Sequence, residues 1–162
     1  MKQENVVQAE YLIPHRRHMK LLERIVNPAP KELQAETTVA ESWPLAKEGS
    51  VSSLLCVELV AQAISALSTW RKGEGARPLP GLLVGIKEAQ FFAGSLPIGT
   101  RVTIRVEELY HLGGYAVFMG RVTSGSALLC TTTLQVMEPE GEGFLDFLKA
   151  QGSHSAEKEQ ED

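Results

Sequence analysis

The sequence predicts an α+β fold in which an antiparallel sheet curls around a single long helix. Residues 52–72 carry the first reason. There Leu54, Leu55, Val57, Leu59, Val60, Ala61, Ala63, Ile64 and Leu67 cover most of a helix circumference, while Glu58, Gln62, Ser65 and Thr69 share an arc of roughly 60°. A helix so nearly apolar all round has to be wrapped by other structure. The second reason is the succession of extended runs after it, divided by Gly113-Gly114 and Ser124-Gly125 as hairpin turns require. Strands that follow one another without intervening helices argue against an alternating βαβ plan. Third, 162 residues suit one domain with a substantial core. Residues 1–150 are expected to form that domain, and 151–162, polar and charged, a disordered tail.

In chain order, residues 6–13 show a weak helical pattern closed by Pro14, so a short leading helix is expected. Residues 19–26 are expected to form the first strand, stopped by Asn27-Pro28-Ala29-Pro30. Ala35, Thr37 and Val39 alternate within 33–41, a second strand, and 42–51, rich in Trp, Pro, Gly and Ser, reads as a loop. At the helix, Ser52 or Ser53 can cap the exposed amides, and Gly73 follows the basic pair Arg71-Lys72. Residues 82–92 suit a strand bent at Gly85, 94–99 a turn, and 101–110, 115–123 and 127–138 three further strands. In the first of these three, Val102, Ile104 and Val106 alternate with Arg101, Thr103, Arg105 and Glu107, the mark of a sheet with one wet face. Residues 143–150 suit a short amphipathic helix through Phe144, Phe147 and Leu148.

Composition narrows the function classes. A formal net charge of −4 provides no basic field for nucleic acid. The opening residues lack the apolar core of a signal peptide, and the one long apolar run is interrupted by Glu58 and Gln62, so a cytoplasmic protein without a membrane segment is expected. Cys56 and Cys130 have neither a Cys-x-x-Cys spacing nor enough companion ligands for a structural zinc, and read as two buried, reduced thiols. No cofactor or metal is called for.

Several pieces resemble one known family. Pro14-His15-Arg16 followed by Leu21-Leu22-Glu23-Arg24, the helix segment Val57-Glu58-Leu59-Val60-Ala61-Gln62, Leu83-Val84-Gly85-Ile86, and Phe91-Phe92 before Leu96-Pro97-Ile98-Gly99-Thr100 occur in the order found in the β-hydroxyacyl-acyl-carrier-protein dehydratases. The likeness spans about residues 11–138 and is strongest to the dehydratase-like branch found beside aryl-polyene and polyketide synthesis genes. It implies the hotdog fold, a dimer with active sites between protomers, and a thioester substrate carried by acyl carrier protein or coenzyme A. In that family the helix Glu works with a His from an upstream Gly-His-Phe-Pro loop of the other subunit. Here that loop falls on Trp43-Pro44-Leu45-Ala46, Pro44 stands at the histidine position, and no His occurs between His18 and His111.

The remaining residues decide what chemistry is open. Dehydration of a 3-hydroxyacyl thioester needs a base for the proton beside the carbonyl, an acid for the leaving hydroxyl, and donors for the enolate oxygen. Glu58 suits the acid, since apolar surroundings would favour its protonated form. The amides near Ser52, Ser53 and Leu54 suit the donors, at the positive end of the helix dipole. His15 is the candidate base; its alternative is to hold a strand or helix end by hydrogen bonds. Gln62, one turn from Glu58, can orient it or a water, or simply satisfy it in a silent core. Ser65 can line an acyl tunnel, although it and Thr69 can equally bond back to the preceding turn. Two alternatives to a dehydratase stay open: a thioesterase that uses Glu58 to activate water or attack directly, and a silent subunit that completes another dehydratase. A homodimer or a heterodimer fits accordingly.

Overall fold

A computed structural model describes residues 5–138. Ten strands and one helix follow in the order β1 (Val6–Gln8), β2 (Arg24–Ala29), β3 (Glu32–Thr38), β4 (Ala46–Lys47), β5 (Ser50–Ser52), α1 (Leu55–Arg71), β6 (Leu82–Phe91), β7 (Ser95–Pro97), β8 (Arg101–Leu112), β9 (Tyr115–Ser124) and β10 (Ala127–Met137). Seven of them form one antiparallel sheet in the order β1-β2-β3-β8-β9-β10-β6, and β4-β5-β7 form a second, small sheet. The α+β architecture read from the sequence is the one observed.

The helix lies against β2, β3, β8, β9 and β10. Alternation explains which face it meets: Val102, Ile104 and Val106 of β8 are buried beneath it, while Arg101, Arg105 and Glu107 point to solvent. Leu59, Val60, Ala63, Ile64 and Leu67 fill the space between helix and sheet together with Phe118, Val122 and Leu134. At Gly120 of β9 the helix rests directly on the strand, because a Cβ built there would lie at 3.0 Å or less from three side-chain atoms of Val60. Val60 is β-branched and cannot swing aside. Gly120→Ala is therefore expected to destabilise the chain by about 1–3 kcal/mol, read from the denaturant midpoint. Adding Val60→Ala should make the pair less costly than the sum of the single changes.

Four local expectations are corrected. Residues 6–13 form not a helix but β1 and a short 3-10 turn (Ala9–Tyr11), since pairing of Val6, Val7 and Gln8 with Val26, Ile25 and Arg24 outweighs a weak helical pattern. The strand expected over 19–26 begins only at Arg24, with Arg17–Met19 in a 3-10 turn before it. It then passes Pro28 instead of stopping, through a bulge between Val26 and Ala29 at which Asn27 takes a positive φ of 47°. The loop 42–51 holds β4 and β5, a short local hairpin, and the turn 94–99 holds β7, which pairs with β5 across more than 40 residues, a separation no local pattern announces. The bend at Gly85 is observed as register shifts on either side of it, where β6 pairs with β10. The helix expected over 143–150 and the tail lie outside the described residues.

Cys56 and Cys130 are free and buried, on α1 and β10. The neighbouring Cys130 and burial push the Cys56 thiol far above its ordinary value. Neither thiol is expected to react with an alkylating reagent in the native protein, and both should react in denaturant; labelling followed by mass measurement checks this. Among the described residues no helix is long and apolar enough to cross a membrane.

Candidate active site

The polar stripe of α1 divides in two. Gln62 and Thr69 turn inward and are fully or almost fully buried, whereas Glu58 and Ser65 face a cavity of about 180 Å³. That cavity lies between α1, residues 79–83 entering β6, and the end of β10. Its walls are mostly apolar, from Ala61, Ile64, Leu79, Leu83 and Val136, with His15 and Glu58 among its few polar groups.

His15 reaches the cavity because the segment that carries it is anchored on both sides. Ile13 is buried in the core and its amide donates to Ala9 O at 3.0 Å. Arg16 folds back, Nη1 donating to Ile13 O at 2.6 Å and to His15 O at 2.7 Å. Gln62 holds the far side: its Nε2 donates to Met19 O at 2.7 Å and its Oε1 accepts from the Leu21 amide at 3.0 Å. Thr37 Oγ1 adds a bond to Leu21 O at 2.5 Å. The same Gln62 Nε2 donates to Glu58 Oε1 at 2.8 Å. His15 Nε2 comes within 3.4 Å of that oxygen, while its Nδ1 is buried without a partner among the described residues. One amide thus ties the helix carboxylate to the segment bearing the imidazole.

Of the residues singled out from the sequence, Glu58, His15, Gln62 and Ser65 are brought together at this cavity or directly behind it. Burial of Glu58 is less complete than expected: 32% of its side chain stays exposed in the single chain, and 28% of His15. Ser52, Ser53 and Leu54 are placed apart from these four. They do not line the cavity, and their amides are engaged by Leu45 O at 3.4 Å, Gly94 O at 3.3 Å and Ser52 Oγ at 3.4 Å. The helix N-cap is Leu54, with no side-chain cap from either serine. Of the two residues expected either to line a tunnel or to bond back to the preceding turn, only Thr69 bonds back, its Oγ1 donating to Ser65 O at 3.2 Å. Sequence reading missed Ser68 and Glu138, which also line the cavity and hydrogen-bond to each other. The residue Ser68 lies one turn beyond Ser65, a spacing that could have flagged it; nothing local ties Glu138 to the helix.

A wider depression of about 380 Å³ lies on the outer face of the sheet around Gln34, Arg105, Glu107 and Arg121. Its charged side chains stand in solvent, and Arg105 already donates to Gln34 Oε1 at 3.1 Å. Among the described residues no cluster of His, Cys, Asp and Glu could hold a metal ion.

A family model for ApeP-like proteins, described as ApeP dehydratase, matches residues 7–149. The chain belongs to the ApeP-like dehydratase family. With the hotdog fold, this makes it a dehydratase-like protein acting on thioesters. Among solved structures, the ApeP-like chain is similar to one in the dehydratase heterocomplex ApeI:P from Xenorhabdus doucetiae, with a TM-score of 0.77 and 21% identity over 88% of this chain and 97% of that one. It is also similar to a hypothetical thioesterase with coenzyme A from Streptococcus pneumoniae (TM-score 0.55, 18% identity, 70% and 82% covered). Thioesterase superfamily member 2 from Mus musculus aligns comparably (0.55, 18%, 70% and 79%). At these identities the structures show the shared fold. No curated protein sequence matches the ApeP-like chain.

Proposed function

We propose that this chain dehydrates a 3-hydroxyacyl thioester carried by acyl carrier protein or coenzyme A, with His15 as base and Glu58 as acid. The observation that carries the reading is the 3.4 Å approach of His15 Nε2 to Glu58 Oε1 beside a mostly apolar cavity. His15 would take the proton from C2, and Glu58 would give one to the C3 hydroxyl as the C–O bond breaks, releasing water and leaving the C2–C3 double bond. The closeness of the two groups lets the proton on His15 return to Glu58 and reset the pair. The histidine that the family loop lacks at Pro44 is on this reading supplied from within the same chain.

The enolate oxygen still needs donors, and the amides of Ser52, Ser53 and Leu54 are already engaged. This favours completion by a second subunit. The β6 strand supports such an assembly: it ends the large sheet, its outer edge is unpaired among the described residues, and Leu83, Val84 and Ile86 are exposed along it. Because Leu83 also lines the cavity, a partner pairing there would cover the site's rim. The partner is a second copy or, as in the ApeI:P heterocomplex, another dehydratase-like subunit. The setting we take to be fatty-acid or polyketide-type synthesis in the cytoplasm.

A second reading is thioester hydrolysis, favoured by the hotdog thioesterase structures and by Glu58 being oriented through Gln62 toward a site open to water. One assay separates these. The purified chain is given a 3-hydroxyacyl thioester and followed for enoyl product and free thiol. Enoyl product that disappears in Glu58→Gln supports dehydration, and free thiol supports hydrolysis. Enoyl product only after addition of a competent dehydratase, and unaffected by Glu58→Gln, would leave this chain as a silent subunit.

A further inference from the structure

The outer face of the large sheet, away from α1, sorts its charges by row. Alternation sends every second side chain outward, and the strand register fixes which of them share a row. One row runs Gln34, Arg105, Arg121, Thr131 and Gln90, with arginines and no carboxylate. The next runs Glu32, Glu107, Met119, Thr133 and Glu88, with carboxylates and no base. Arg105 is therefore directly opposite Arg121, and Glu32 directly opposite Glu107. Like charges so placed repel within a single chain. Among the described residues none of these four forms an ion pair, whereas Arg24 and Glu36, in the row beyond, neutralise each other. The depression of about 380 Å³ opens between the two rows, with Val26 and Leu33 in its lining and the exposed Met119 at its side.

A basic row about 7 Å from an acidic one is complementary to itself when turned over. A two-fold axis lying in the plane of the face, across the strands and between the rows, sets the basic row of one copy over the acidic row of another. Arg105 then meets Glu107 of the second copy and Gln34 meets its Glu32, each contact made twice. Met119 of the second copy comes over Arg121 at the depression, where a flexible thioether can fill the space. An axis parallel to the strands would instead set like rows against each other, so the charges also choose the orientation. The strands of the two sheets are then aligned, as face-packed sheets commonly are. We propose that a second copy of this chain packs on the outer face of the large sheet, held in register by the Arg105–Glu107 contact made twice about this axis. The interface lies on the far side of the sheet from the cavity, so it depends on no reading of the chemistry.

Sedimentation of the full chain makes the test, at one protein concentration, for four proteins: native, Arg105→Glu, Glu107→Arg, and the exchange that combines the two. Both side chains are exposed, so the variants keep the fold, which the thermal midpoint checks. Each single reversal sets like charges against each other twice and is expected to halve the mass of the particle. The exchange sets opposite charges together again and is expected to restore it. An assembly held at the β6 edge lies at the end of the sheet and survives the reversals, so the particle that remains reports that contact separately. The same mass in all four proteins would overturn the proposal, as would a native chain that sediments as a single copy. A mass halved by the reversals and not restored by the exchange would overturn the two-fold register.

Discussion

Glu58→Gln is expected to lower enoyl formation by about 10²–10⁴-fold, the usual range for a positioned acid or base. Substrate binding and the thermal midpoint should change little. The substitution keeps the shape of the side chain, and its amide oxygen can still accept from Gln62 Nε2, now at 2.8 Å from Glu58 Oε1. What it removes is a proton that can be given and taken back. His15→Ala should cost a comparable factor, and the comparison of rate with stability is the informative part. A histidine that merely fastened a strand end would have ring nitrogens engaged by the surrounding protein. His15 instead presents Nε2 to Glu58 and leaves Nδ1 without a partner among the described residues. Loss of rate at an unchanged thermal midpoint is thus the expected result; loss of midpoint with the rate per folded molecule intact would return His15 to a structural role. The double variant should be scarcely slower than either single one, since two groups acting as a unit are not additive.

Gln62→Leu should be the most damaging single substitution for stability near the site. Leucine fills a similar volume but leaves the Leu21 amide and the Met19 carbonyl without their bonds to Gln62. Each stranded polar group costs about 1–3 kcal/mol. A loss of about 2–5 kcal/mol is expected from the two together, measured by chemical denaturation. Activity should fall further than the folded fraction does, because the same side chain holds Glu58 and fixes the segment leading back to His15. Gln62→Glu offers a useful contrast. It keeps an acceptor for the Leu21 amide but loses the donor to Met19 O and sets a second carboxyl beside Glu58, so it should damage catalysis more than stability relative to Gln62→Leu.

The helix and its stripe were legible from the sequence because period and polarity sit within one stretch of chain. The alternation of β8 was legible for the same reason. By contrast, β7 exists through pairing with β5 over a long separation, and β1 through pairing with β2, so their residues carry no signal of their own. Gly120 lies in a strand pattern where a glycine marks close backbone approach, yet only the packed helix reveals that the neighbour is Val60. At the site, Glu58 was readable as a polar residue on an apolar helix, and His15 through the Pro-His-Arg motif. That the two meet within 3.4 Å was not, since the chain from Arg16 to Val57 has to fold before they approach.

The inward and outward halves of the α1 stripe also differ in how freely they can change. Gln62 is answerable to three partners in two segments, and few substitutions at that position would leave the fold intact. Among the described residues nothing bonds to the Ser65 hydroxyl, so Ala, Cys or Thr could stand there at small structural cost while altering the lining of the cavity. Less than one helical turn thus separates a position that conserves the architecture from one that can vary its chemistry. A descendant of this chain could acquire a different acyl preference there without first having to become more stable.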